Sequence, residues 1–431
     1  MPTAVEHTIN ALSQVVQNVP IGTNCGLLYL LWAMLNGSFL GSRGAIFPAL
    51  SQSGFSAEES RRSWAAMRYG SWRIAELLES WQAYVASENR WRARQYGGYR
   101  VVSIDTSGFW RWRLKGWIGK HFNSVAQKAL PAVVFGIIVA VGEIEGKRIP
   151  LPKWFIRRTK GMSATDLEAQ ILAKAAQGLA INEVAALDGG FQLKAIQTAN
   201  LQHYVVRGAL NFVARRNQLP AYKGRGCRPK YGHKVRPLAR RYKDKQIAAD
   251  PADQQVEFTH QGRLVRAQGW HRLVRSDVKV SPQAKTFSVW VFHDPRYQEP
   301  LLLITSLPIA AHDILRIYLD RWPVEQLPLT AKQMLGLHRH FVFAPEACFR
   351  LPELALLAGS ILLYLAAVLP VVPTGFWDRR PQPTPGRLRR LLAQADFPQP
   401  DAFYPEIRKK QSVSAHLPKG ILAHRRQKRA A

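Results

Sequence analysis

The chain has 431 residues, enough for two or three domains with a substantial core, and its 47% apolar and 21% charged residues are a globular profile. Sixty Lys and Arg against 29 Asp and Glu give a formal +31, so it needs a polyanion to offset self-repulsion; nucleic acid is the usual partner and anionic membrane the rival. Cys25, Cys227 and Cys348 stand far apart in no CxxC or Cys/His cluster, which excludes a disulfide framework or structural zinc site and fits a reducing compartment.

The N-terminus lacks a basic region followed by an apolar core, so no signal peptide is expected. Residues 1–96 read as an all-helical domain. Apolar clusters at 27–35 and 45–50 precede Gly54-Phe55, and Ser56 with Glu59 forms a capping-box pattern. A short helix, a Gly turn and a second helix carrying Arg61, Arg62 and Arg68 fit either a DNA-binding helix-turn-helix or an ordinary helical hairpin. A further helix is expected over 72–94, ended by Gly97-Gly98.

Strand signals begin at Tyr99. Runs at 99–104, 133–141, 147–156, 183–187 and 203–207, with an amphipathic helix over 166–178, predict one mixed sheet with helices against it. The first run ends at Asp105 and the fourth at Asp188.

Residues 208–300 interrupt this pattern. From Arg207 to Lys245 there are 13 Lys or Arg against one acid, Asp244. Within that span Arg225, Arg228 and Lys230 lie in a Gly/Pro-broken loop, which reads either as a phosphate-tracking contact or as a solvated linker. Short β-prone runs at 256–258, 263–267, 272–274 and 286–292 predict an antiparallel insertion, where Trp270 and Trp290 either stack an unpaired base or fill the core.

A strand at 301–305 and a helix at 310–322 lead to YLDRWPVEQLPLTAK, residues 318–332. On one helix Tyr318, Arg321, Glu325 and Lys332 would fall at roughly 0°, 300°, 340° and 320°. Such a stripe is either a solvated face with ion pairs or a surface that holds a metal ion with its carboxylate and phosphates with its cations. Pro323 is suited to open a new helix and Pro328 to kink it. The apolar stretch 354–372 is long enough to span a membrane, but nothing else in the chain reads as a membrane protein and a buried core helix is the expectation. Residues 373–431 form a Pro-rich segment and a tail whose last 27 residues hold eight basic side chains against Glu406.

Asp105, Asp188 and Glu325 are candidates for a converging carboxylate trio. Such a trio repels itself unless cations sit between its members, and two Mg2+ (or Mn2+) ions with oxygen ligands are the natural answer. A two-metal pair activates a water or 3′-hydroxyl at one side of a phosphodiester and stabilises the leaving oxygen at the other.

Over residues 99–370 the chain resembles the DDE transposases of bacterial insertion sequences, in the subgroup marked by Tyr-(2)-Arg-(3)-Glu-(6)-Lys. Tyr318, Arg321, Glu325 and Lys332 match that signature, with Arg321-Trp322 and Leu335-Gly336-Leu337 also similar. Ile104-Asp105-Thr106 and Leu187-Asp188-Gly189 resemble the family's first two acidic motifs. The aromatic pair usual after the signature Glu is replaced by Gln326-Leu327-Pro328. The resemblance implies an α/β fold: a ribonuclease H-like core at 97–207 and 301–372, interrupted by a β-rich insertion at 208–300. It implies metal ligation and catalysis by Asp105, Asp188 and Glu325, with Tyr318, Arg321 and Lys332 on double-stranded DNA at the transposon end. It further implies Trp290 as a base-stacking partner, a homodimer in a synaptic complex, and a bacterial cytoplasmic, nucleoid-associated location. The alternative is a catalytically inactive or domesticated DNA-binding derivative. A structure-specific nuclease and a membrane-associated basic protein are more distant rivals.

Overall fold

A computed structural model describes residues 2–111, 114, 119–123, 125–222, 224, 226–243, 245–371, 373, 375–398 and 405–409. Six helices come first: α1 (Pro2–Val16), α2 (Thr23–Leu35), α3 (Ser38–Gly41), α4 (Ile46–Gln52), α5 (Ala57–Tyr69) and α6 (Ile74–Ser87). The expected capping box opens α5, where Ser56 Oγ accepts from the Glu59 N–H and the Glu59 carboxylate accepts from the Ser56 N–H. The α6 helix is shorter than the expected 72–94. Asn89 adopts a left-handed φ of 50° that ends it, and Arg92–Ala93 then pairs as a short strand with the sheet.

The sheet's centre is built from β1 (Tyr99–Trp110), β2 (Lys128–Ile144), β3 (Lys147–Arg157), β4 (Glu183–Leu187) and β5 (Tyr204–Arg207). The spatial order is β3-β2-β1-β4-β5, with β2 antiparallel to both neighbours and β1, β4 and β5 mutually parallel. Beyond β5 the same sheet continues antiparallel. The order there is β9 (Leu301–Thr305), β8 (Phe287–His293), β7 (Arg263–Arg275) and β6 (Gln254–His260). The protein is thus a mixed α/β structure with one large mixed sheet and flanking helices. The two expected strands at 263–267 and 272–274 are one strand, β7, with a register shift between Trp270 and Leu273.

Each face of the sheet is covered. On one side α7 (Ala164–Gly178) and α8 (Leu193–Thr198) bury Leu167, Ile171, Leu172 and Ile196 against Val102, Ile104 and Leu187. Gly136 on β2 makes this possible, because a Cβ there would lie 2.3 Å from Ile171. On the other side the N-terminal helices share one core with α9 (Ala311–Leu319), α10 (Pro323–Met334) and α11 (Pro345–Val368). The last helix, α12 (Pro385–Ala393), packs on α11. α11 is the apolar stretch that is long enough to cross a membrane, yet 89% of its most apolar window is buried inside the fold. Its Glu353, fully buried, is held by Arg157 of β3 through bonds of 2.6 and 2.7 Å. That pairing ties the apolar helix to the sheet.

Candidate functional site

Residues alternate in direction along a strand, so Ser103, Asp105, Ser107 and Phe109 share one face of β1. That face carries α10. The expectation that the first strand stops at Asp105 is corrected: β1 runs on to Trp110, held there by pairing with β2 from Asp105↔Ile137 to Trp110↔Ala132. What does stop is the parallel pairing with β4, whose last partners are Ile104 and Leu187. Asp105 and Asp188 are therefore the next residues of adjacent parallel strands, at one register.

The signature stretch is not one helix. α9 ends at Leu319, and α10 opens at Pro323, whose missing N–H costs nothing at a first helical position. Tyr318 lies on the last turn of α9, Arg321 in the break, Glu325 on the first turn of α10 and Lys332 near its end. Pro328 is buried inside α10, and the helix continues through it. The break is anchored twice. Ser103 Oγ donates to the Arg321 carbonyl at 2.8 Å. Asp320, 1% exposed, takes ion pairs from Arg94 at 2.6 Å and Arg148 at 3.0 Å, and the Tyr96 hydroxyl donates to it at 2.7 Å. Sequence reading missed Ser103, Ser107, Arg94 and Asp320. The alternation of Ser103, Asp105 and Ser107 along an apolar strand is the signal that could have found the first two.

The side chains converge. Arg321 lies 2.6 Å from Glu325 Oε1 and 3.4 Å from Asp105 Oδ2. The Tyr318 hydroxyl lies 3.5 Å from Asp188 Oδ1, a long contact. Lys332 Nζ is 3.3 Å from Ser107 Oγ and about 5 Å from the ring centres of Phe109 and Trp110. Asp105, Ser107, Glu325 and Lys332 line an open cleft whose apolar walls include Ile137 and Leu329.

Electrostatics follow the geometry. Burial pushes the Asp105 carboxyl up to about 6; the Thr106 N–H and Arg321 oppose this, while Glu325 and Asp188 add to it. Burial likewise brings Lys332 down to about 8, only partly opposed by Asp105. Tyr318 is raised by burial and by Asp188. For Arg321, burial opposes the charge, but Asp188, Glu325 and Asp105 outweigh it and raise its pKa.

Among the described residues no three acidic, His or Cys side chains stand close enough together to hold an ion as they are. The cation among these acids is Arg321 itself. Carboxylate oxygens are still the donor type that hard divalent ions take, and a bound cation among them marks a place where positive charge is favoured.

The remaining expected contacts lie elsewhere. Arg228 and Lys230 are exposed on the basic loop, with Arg228 over the Tyr222 ring; Arg225 lies outside the described residues. Arg61 and Arg68 are exposed on α5, which follows α4 across a turn at Gly54. Trp290 is a correction: it is 3% exposed, packed over Gly269 and stacked on Phe292, and so offers no open face to a base. The exposed indole beside the cluster is Trp322, at 53%. No protein-family model matches this chain, and no curated protein matches it.

Proposed function

We propose that this chain is a DDE-type DNA transposase with a ribonuclease H-like catalytic core, acting as a homodimer on double-stranded transposon ends and target DNA. The observation that carries the reading is that the basic signature reaches all three acids: Arg321 lies 2.6 Å from Glu325 and 3.4 Å from Asp105, and Tyr318 lies 3.5 Å from Asp188. Asp105 and Asp188 follow the last partners of one parallel ladder, and Glu325 lines a cleft with Asp105 from the helix that carries Lys332. The strand order β3-β2-β1-β4-β5 with β2 reversed supports the core assignment, as does the antiparallel β-rich stretch between Asp188 and Glu325. The formal charge of +31 supports a polyanionic substrate.

In this reading Asp105, Asp188 and Glu325 hold Mg2+ or Mn2+. Bound there, the ions would activate the attacking water or 3′-hydroxyl and stabilise the leaving oxygen. The protein's own contribution is placement. Arg321 and Lys332 present positive charge to backbone phosphates, and the Tyr318 hydroxyl stands 3.5 Å from Asp188. Ser103 and the Asp320 clamp hold the break between α9 and α10 against β1, so that Arg321 and Glu325 approach from a rigid support. Because α10 continues through Pro328, Glu325 and Lys332 line one cleft, which favours a competent site over a degraded one.

The test is cleavage of labelled DNA carrying the element's own ends, with Mg2+, comparing wild type with Glu325→Ala. The expected result is cleavage by wild type alone, with end binding kept by the variant. Cleavage that survives the substitution means the third acid is wrong. Tight binding with no cleavage by either protein would make this a DNA-binding derivative.

A further inference from the structure

Arg321 stands where the reading above needs positive charge for a different purpose. Its side chain is 13% exposed, and it spans Glu325 at 2.6 Å and Asp105 at 3.4 Å. Asp188 acts on the same guanidinium through space. A guanidinium forks onto carboxylate and phosphate oxygens in the same geometry, so a DNA phosphate can replace what the carboxylates give it. The backbone at Arg321 is pinned by Ser103, and the preceding Asp320 is clamped by Arg94 and Arg148, whereas nothing covalent fixes the far end of the side chain. Exchange between the two sets of oxygens therefore needs only side-chain rotation.

We propose that Arg321 competes with divalent metal ions for Asp105 and Glu325, and that a DNA phosphate draws it off, so that metal binds tightly only once DNA is in place. The inference rests on the carboxylate-metal reading above and adds a regulatory role for Arg321. It has two physical supports. The single guanidinium of Arg321 is shared between two acids, Glu325 at 2.6 Å and Asp105 at 3.4 Å, so one positive charge faces two carboxylates. Removing Arg321 from the pair leaves Asp105 and Glu325 without their ion-pair partner, a state that a divalent cation relieves better than water does. Coupling of this kind is reciprocal: the factor by which DNA tightens metal is the factor by which metal tightens DNA.

The test is an equilibrium titration of Mn2+ into the full-length protein, read by loss of the free-ion paramagnetic resonance signal. It is run on wild type, Arg321→Ala, Arg321→Gln and the double variant Asp105→Asn/Glu325→Gln, each without DNA and with a short duplex of the element's end. Without DNA, both Arg321 variants should bind Mn2+ more tightly than wild type, by roughly 5- to 150-fold if the coupling is of ordinary size. The duplex should tighten Mn2+ on wild type and do little further on the Arg321 variants. Mn2+ affinity that is equal or weaker in both Arg321 variants overturns this inference alone, provided the double carboxylate variant has lost binding. Mn2+ binding that is absent throughout, or untouched by the double variant, overturns the metal reading and this inference with it.

Discussion

Asp320 and Arg94 lie 226 positions apart and form a 2.6 Å ion pair, with the Asp320 side chain 1% exposed. The pair joins the break between α9 and α10 to the strand entering the sheet, and Arg148 and Tyr96 complete it. A buried carboxylate so supplied is costly to disturb from one side, because truncating one partner strands the other; such losses run to about 3–5 kcal/mol. Asp320→Asn and Arg94→Met should each lower stability by about 3 kcal/mol. The double variant Asp320→Leu/Arg94→Met should lose clearly less than the sum of the two. Urea unfolding of the four proteins decides it, and single losses that simply add would sink the idea of a coupled clamp.

Lys332 trades stability for charge. Burial brings its ammonium down to about 8 from an ordinary value of 10.5, so below pH 8 the folded protein carries a charge it would rather lose. The sign is that of a depressed lysine: the penalty is full below about 8 and is released as pH rises toward 10.5. Lys332→Met should therefore stabilise the protein at neutral pH, by up to about 3 kcal/mol, and the advantage should vanish near pH 10.5. Binding to end DNA should weaken in the same variant. Denaturant unfolding at both pH values checks the first point, and a variant no more stable than wild type at neutral pH would refute it.

Local signals and long-range pairings were not equally legible in the sequence. The strands Glu183–Leu187 and Leu301–Thr305 match the expected runs because each is apolar but for one end residue and is bounded by residues that break a strand. The capping box at Ser56 is equally local. The extension of β1 through Thr106-Ser107-Gly108 has no such signal; pairing with the distant Val133–Gly136 holds it. The Asp320 clamp was hidden for the same reason. A lone Arg94 at the end of an expected helix and a lone Asp320 both look like solvated charges until the fold brings them together. Trp290 failed differently, since composition cannot tell a buried indole from a presented one.

At Trp290 the neighbouring backbone decides the matter. A Cβ at Gly269 would meet its ring at 2.8 Å, and Phe292 stacks on it with centroids 6.4 Å apart. Gly269→Ala should cost about 1–3 kcal/mol through overpacking, and Trp290→Ala about 3–5 kcal/mol through the cavity left behind. Trp290→Phe, which keeps most of the packing, should leave the DNA affinity of the folded protein unchanged. Should Trp290→Phe remain as stable as wild type but lose affinity for the transposon end, the base-stacking role would have to be reinstated.

His340 makes the fold acid-sensitive at a point away from the carboxylates. It is fully buried with its ring 5.8 Å from that of Phe39, and burial, with the charges of Arg111 and His338, holds its pKa down at about 3. In the unfolded chain it returns to about 6.5, so the unfolded state takes up a proton that the folded state refuses. Its contribution is present above pH 6.5 and is lost as pH falls toward 3, with a slope approaching about 1.4 kcal/mol per pH unit. His340→Phe removes that proton uptake while keeping an aromatic ring against Phe39. Unfolding free energies measured from pH 7 down to about 4.5 should fall less steeply in the variant, by close to one proton's worth of slope. Parallel curves would mean that His340 takes up its proton within the fold as readily as in the unfolded chain, and would refute the point.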